Sequence, residues 1–148
     1  MLAFVASFAF GGCDVLLGSF DAAHNGARIF YTGANSAGET IAYAGGPGPE
    51  DGVAHGVLTC ALCHGRRARG GSYRVHGVLV RAPDIRWSTL EQRGEGLGAP
   101  EGYTLDAFRM AVVDGRHPDG TPLDGDMPRY ELGDEDLSDL ASFLQSIP

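Results

Sequence analysis

The sequence predicts an all-α fold in which a few short helices are joined by long Gly- and Pro-rich loops. Three observations predict it. Three segments carry apolar residues at three- and four-residue spacing between cap and stop signals. Twenty-three of 148 residues are glycine and eight are proline, which implies much loop and short regular elements. No period-2 run is strong enough to specify a sheet. The length fits one domain, with residues 1–13 set apart as a signal-like segment and residues 14–148 forming the domain.

The N-terminal run Leu2 to Gly12 is apolar or small and ends at Asp14. It is too short to span a bilayer, which needs about 20 apolar residues, but suits the hydrophobic region of an export signal. Phe10-Gly11-Gly12-Cys13 resembles a bacterial lipoprotein box, with Phe10 where that box usually has leucine. The resemblance implies lipidation at Cys13, a membrane tether and a periplasmic or other extracytoplasmic location.

Asp21 to Phe30 reads as the first helix, capped by Asp21. Ala23, Gly26, Ala27 and Phe30 share one face. Gly26 costs a helix roughly 1 kcal/mol against alanine, so a close packing partner is expected there. Thr32 to Val57 reads as irregular loop with at most one short hairpin, Val57 to His64 as a helical turn, and Gly65 to Ala82 as loop or weak strand. Thr104 to Asp114 is a second helix, with Thr104 as cap, Leu105, Phe108 and Val112 on one face, and Gly115 as the stop. Gly115 to Arg129 is a Pro-rich loop. Asp134 to Ile147 is the clearest helix, with Asp134 as N-cap, acids at the positive end of its dipole, and Leu137, Leu140, Ala141 and Leu144 as one stripe.

The formal net charge is −8. Phosphate repels an acidic surface, so nucleic acid is not an expected partner. The acidity suits solubility or a redox partner with a basic docking face. Three cysteines, an odd number, argue against a simple disulfide framework.

Cys60-Ala61-Leu62-Cys63-His64 is a C-x-x-C-H motif, read as attachment of one c-type haem. Residues three apart on a helical turn face one side, so two thiols there can each add to a haem vinyl group. His64 then lies under the iron. With three cysteines and five histidines in 148 residues, chance occurrence is a poor explanation. Three other readings stay open. A thioredoxin-like pair needs a βαβ setting, a zinc site needs four ligands, and a plain Cys60–Cys63 disulfide suits an exported protein.

Candidates for a second iron ligand are Met127, Met110, His55, His76 and His117. Met110 sits inside a helix and reads as core filler. His55 and His76 lie in Gly-flanked loops and His117 beside Pro118, and all three read as solvent-exposed. Met127, in Asp126-Met127-Pro128, sits in a Pro-bounded loop that can press a thioether onto a haem face.

In order, the Gly26-to-Phe30 helix, Cys60 to Gly65, Pro83-Asp84-Ile85, Met127-Pro128 and the helix ending Leu140 to Leu144 resemble the class I cytochromes c, over Asp21 to Pro148. The resemblance implies the cytochrome c fold around one covalent haem c, with His64 and Met127 as axial ligands. It implies a crossing of first and last helices through Gly26, Phe30 and Phe143. It implies that the Pro83 carbonyl accepts the proximal imidazole N–H, which sets ligand orientation and basicity. Trp87, Tyr103 and Arg81 or Arg86 are the candidates for reaching the propionates. The chain departs from the family pattern in the length between first helix and haem motif, an insertion of residues 31–59.

His/Met ligation fills both iron faces and raises the reduction potential relative to bis-histidine ligation. The expectation is a one-electron carrier serving redox proteins, not an enzyme. The alternatives are a peroxidase-like haem enzyme or gas sensor with an open axial site, and a fixed cytochrome subunit of a larger redox complex.

Overall fold

The computed structural model describes residues 14–48, 57–92 and 102–148. The lipoprotein-like segment with Cys13, His55, and part of the 31–59 insertion lie outside the described residues. In chain order the elements are α1 (Asp14–Thr32), β1 (Tyr43–Ala44), α2 (Cys60–His64), β2 (Gly71–Val75), β3 (Val78–Ala82), α3 (Trp87–Gln92), α4 (Leu105–Arg109), β4 (Arg129–Tyr130) and α5 (Asp134–Ser146). A π-helical turn, Met110–Asp114, continues α4.

Two helix boundaries differ from the sequence expectation. Asp21 does not cap α1, which already runs from Asp14, so Asp21 falls mid-helix. At α5 the N-cap is Gly133, and Asp134 is the first helical residue, joined by Glu135 and Asp136 in the first turn. The dipole argument for those acids is unchanged. The α5 stripe is buried as expected: Leu137, Leu140, Ala141 and Leu144 are each at most 3% exposed.

α1 and α5 cross at the small residue of α1. A Cβ on Gly26 would overlap the Asp139 carbonyl and abut the Phe143 Cβ, so only glycine lets the two backbones come this close. Beside the crossing, Phe30 packs on Phe143 with ring centroids 5.3 Å apart, and Tyr31 on Phe143 at 5.6 Å. Buried Asn25 completes it. Its Nδ2 donates to Asp136 Oδ1 (2.9 Å) and Asp139 Oδ2 (2.6 Å), while its Oδ1 accepts from Ser36 N (2.6 Å). Every polar atom of that amide is satisfied, as burial requires.

Thr104 caps α4 as expected, its Oγ1 accepting from Ala107 N, and Gly115 ends the π turn in the left-handed region at φ 64°. Phe108 and Val112 are buried, but Leu105 is 42% exposed. Leu105 is the first residue of α4, at the open end of the helix, where spacing alone does not ensure burial.

No period-2 run in the sequence specifies a sheet, and Gly65 to Ala82 reads there as loop or weak strand; two small antiparallel ribbons form. β1 pairs with β4, Tyr43 opposite Tyr130. β2 and β3 form a hairpin turned at His76 (φ 48°) and Gly77 (φ 87°), the paired positive φ of a tight two-residue hairpin turn. One face of the hairpin, Tyr73, Val75, Val80 and Ala82, turns inward, but Val78 and Leu79 are apolar and exposed, so the sequence of β3 shows no clean alternation.

Candidate functional site

The loop 65–70 and the hairpin place the Pro83 carbonyl against α2. Gly70 N donates to His64 O (2.9 Å) and Ile85 N to Ala68 O (2.8 Å). A Cβ on Gly70 would overlap Ala82 O and the Pro83 carbonyl, and its φ is 68°. Glycine is therefore required twice over, for the approach and for the backbone angle. The result is a hydrogen bond between His64 Nδ1 and Pro83 O at 2.9 Å. A carbonyl can only accept, so Nδ1 carries the proton and Nε2 keeps its lone pair. His64 is 5% exposed. Burial pushes its pKa down, against smaller opposing effects of the Pro83 bond and Asp84, so the imidazole is held neutral.

His64 opens onto a cavity of about 480 Å³, a volume typical of cofactor sites. Six segments build its wall: Cys63 and His64, Leu79 to Ile85, Leu90, Tyr103, the α4 and π-turn residues Phe108, Ala111 and Val112, and the loop from His117 to Met127. Most of these side chains are apolar. Arg81 and Asp84 stand on one side, and Asp124 and Asp126 belong to the Met127 loop.

Of the residues singled out from sequence, the cavity brings together Cys63, His64, Arg81, Pro83, Tyr103 and Met127. Cys60 sits three residues before Cys63 on α2, half-buried against the main core. Trp87 does not line the cavity. Its ring packs against Phe108, centroids 5.7 Å apart, and it supports the wall from behind. Arg86 is likewise outside, paired with Asp84 at 2.6 Å. His76 is at the hairpin tip, its Nδ1 3.2 Å from Pro47 O, and Met110 is not on the lining either. His117 corrects the expectation of a solvent-exposed turn residue. It lines the cavity, and its buried Nδ1 has no hydrogen-bond partner among the described residues.

The Met127 loop is fastened at both ends by residues the sequence did not mark. Tyr130 OH donates to Leu58 O (3.2 Å) just ahead of α2. The Arg129 guanidinium donates to the Met127 and Leu123 carbonyls. A sequence signal existed only for the prolines.

Cys60 and Cys63 are both free thiols. Burial pushes the Cys60 thiol up to about 12 and raises that of Cys63, helped by nearby Asp126. Neither is an activated thiolate of the redox-exchange kind. Among the described residues no strand runs directly into α2 as a thioredoxin-like site requires: β1 ends at Ala44 and pairs with β4, and residues 57–59 are irregular. Among the described residues no three His, Cys, Asp or Glu side chains gather as a metal site.

A family model for cytochrome c matches residues 25–148. The chain belongs to the cytochrome c family. No curated protein and no solved structure gives a significant match. The family binds haem c covalently, one to a domain of this size, and serves haem-based electron transfer. The residues present in this cytochrome fit such a group. The cavity is mostly apolar and large, the free thiol of Cys63 lines it with that of Cys60 on the same helical turn, and a neutral imidazole presents a free nitrogen. His117 Nδ1 is a buried polar atom that lacks a partner among the described residues, as expected where a bound group with polar substituents belongs.

Proposed function

We propose that this cytochrome is a one-electron carrier of the extracytoplasmic space of a bacterium, its haem c joined through Cys60 and Cys63 and ligated by His64 and Met127. One observation carries the reading: His64, with Nε2 left free by the Pro83 bond, and Met127, on a loop tied down by Arg129, line the same cavity. Bound there, the haem supplies a reversible one-electron couple. The chain's own part is to hold the imidazole neutral and oriented, to exclude water with an apolar wall, and to fix the thioether's approach so that little moves when the charge changes. Tyr103 and Arg81, which line the cavity, are the proposed partners of the propionates. Cys13 is the proposed lipid tether, and donor and acceptor are redox proteins.

The test is a visible spectrum of the protein matured in a host able to attach haem, oxidised and reduced, with Met127→Ala beside it. The weak far-red band of iron–thioether bonding should appear in the oxidised wild type and vanish in the variant, with a lower reduction potential. A variant identical to wild type would remove Met127 from the ligand set.

One observation favours a second reading. His117 Nδ1 sits unpartnered in the same cavity wall, where a base would serve a peroxidase-like enzyme or a gas sensor with an open iron face. Binding of cyanide or carbon monoxide by wild type as readily as by Met127→Ala would establish that reading instead.

A further inference from the structure

The basic charge of this acidic chain is concentrated in one place. All eleven of its basic residues are arginines. Six of them, Arg66, Arg67, Arg69, Arg74, Arg81 and Arg86, fall between His64 and Trp87, where Asp84 is the one acid. That stretch carries +5 while the whole chain carries −8.

The fold turns this cluster into a face. Ala68 is fully buried at φ 55°, and its burial turns its neighbours Arg66, Arg67 and Arg69 out to solvent. These three surround a groove of about 490 Å³ whose apolar parts are Tyr31, Phe143 and Ile147. The Arg66 guanidinium lies 5.6 Å from the centre of the Tyr31 ring, and the Tyr31 hydroxyl donates to Arg66 O at 2.7 Å. Arg69 donates to Pro148 O. Among the described residues Arg86 is paired with the Asp84 side chain, whereas no Asp or Glu side chain is paired with Arg66, Arg67 or Arg69.

We propose that this arginine-rimmed groove is the docking surface for an acidic protein partner, one that sets carboxylates against the guanidinium groups and an apolar side chain into the aromatic floor. Charge complementarity argues for the carboxylates. Arginine offers paired donors matched to a carboxylate and is weakly hydrated, so it loses little on being covered. Concavity argues for a protein over a lipid surface, because a groove receives a protruding side chain and cannot enter a bilayer. Position argues for a redox partner: the loop 65–70 is hydrogen-bonded directly to the His64 carbonyl, so a protein docked here rests against the back of the proximal ligand. That last step rests on the haem reading above. The overall acidity of the chain points to a basic partner, and this face reverses that sign locally, so the partner is oriented as well as attracted.

The test uses the haem-loaded protein, with poly-L-glutamate as the acidic probe and phosphatidylglycerol vesicles as the lipid one. Nuclear magnetic resonance should show poly-L-glutamate shifting amides of residues 66–70 and the α5 end at low salt despite the net negative charge. Binding should weaken about tenfold in the triple variant R66Q/R67Q/R69Q and similarly when salt shortens the screening length. No binding, an unchanged affinity in the triple variant, or shifts at other residues would overturn the proposal. Shifts in the groove produced by the vesicles and not by the polypeptide would assign the face to a membrane surface and overturn it too. Visible spectra of the same samples keep the two readings apart: a triple variant with wild-type spectrum and lost binding concerns docking alone, and a protein without the haem spectrum concerns the haem reading alone.

Discussion

Arg129 occupies the space that a side chain on Gly115 would need. A Cβ built on Gly115 would overlap the Arg129 side chain from Cδ to the guanidinium. From that position the guanidinium holds the carbonyls of Leu123 and Met127. The glycine that ends the π turn is therefore also the recess for the arginine that straps down the Met127 loop.

Gly115→Ala meets two penalties, a left-handed φ of 64° and a collision with Arg129. Together they should lower unfolding stability by about 2–4 kcal/mol, read by denaturant titration. Arg129→Met keeps bulk and removes the bonds to both carbonyls. It should let added imidazole compete for the iron about tenfold more readily, which is about 1.4 kcal/mol of loop anchoring. Unchanged imidazole affinity would show that the strap does not control the loop.

Gly26→Ala pushes a methyl group into the Asp139 carbonyl at the α1–α5 crossing. Overpacking of this kind costs about 1–3 kcal/mol, and the backbone obstacle places this one near the upper end. Gly48→Ala, with nothing near the added carbon, should stay within about 0.5 kcal/mol. Equal effects of the two in thermal melts would contradict the crossing described here.

Gly70→Ala drives a carbon into the Pro83 carbonyl, the acceptor of His64 Nδ1. Beyond losing stability, it should alter the proximal ring's orientation, seen as changed shifts of the His64 ring protons and a lower or higher reduction potential. A variant that loses stability with both readouts at wild-type values would mean that the Pro83 bond does not set the imidazole.

Asp84 gives a pH signature. The Arg86 guanidinium holds its carboxyl below the usual range, against a smaller effect of burial. A carboxylate with a depressed folded pKa stabilises fully above its unfolded value of about 4, and that stability is lost as pH falls through the lower folded value. Asp84→Asn should therefore flatten the acid side of the stability curve below about pH 4 and leave its slope at neutral pH alone. The pair is partly exposed, so the change should stay at or below about 1 kcal/mol. Parallel wild-type and variant curves below pH 4 would count against it.

The sequence by itself determined whatever is local. C-x-x-C-H puts two thiols and an imidazole on one turn through helical geometry alone. The α5 stripe follows from residue spacing, and the Thr104 cap and Gly115 stop from the needs of helix ends. Gly26 was legible as a packing glycine because its cost inside a helix demands a reason. Only the tertiary structure decided what depends on residues far apart in the chain. The cavity joins His64, Pro83, Tyr103, Val112 and Met127, and no spacing encodes their meeting. His117 looks like an exposed turn residue until the loop folds over the cavity, and only folding sets the Trp87 ring on Phe108. The β2–β3 hairpin read only as loop or weak strand because exposed apolar Val78 and Leu79 blur the alternation of its strands, its register resting on the His76-Gly77 turn. Asn25, Gly70 and Arg129 act on backbone or side chains brought to them by folding. Covalent spacing fixes contacts within a turn of helix, while long-range contacts are fixed by what the whole chain can bury and hydrogen-bond at once.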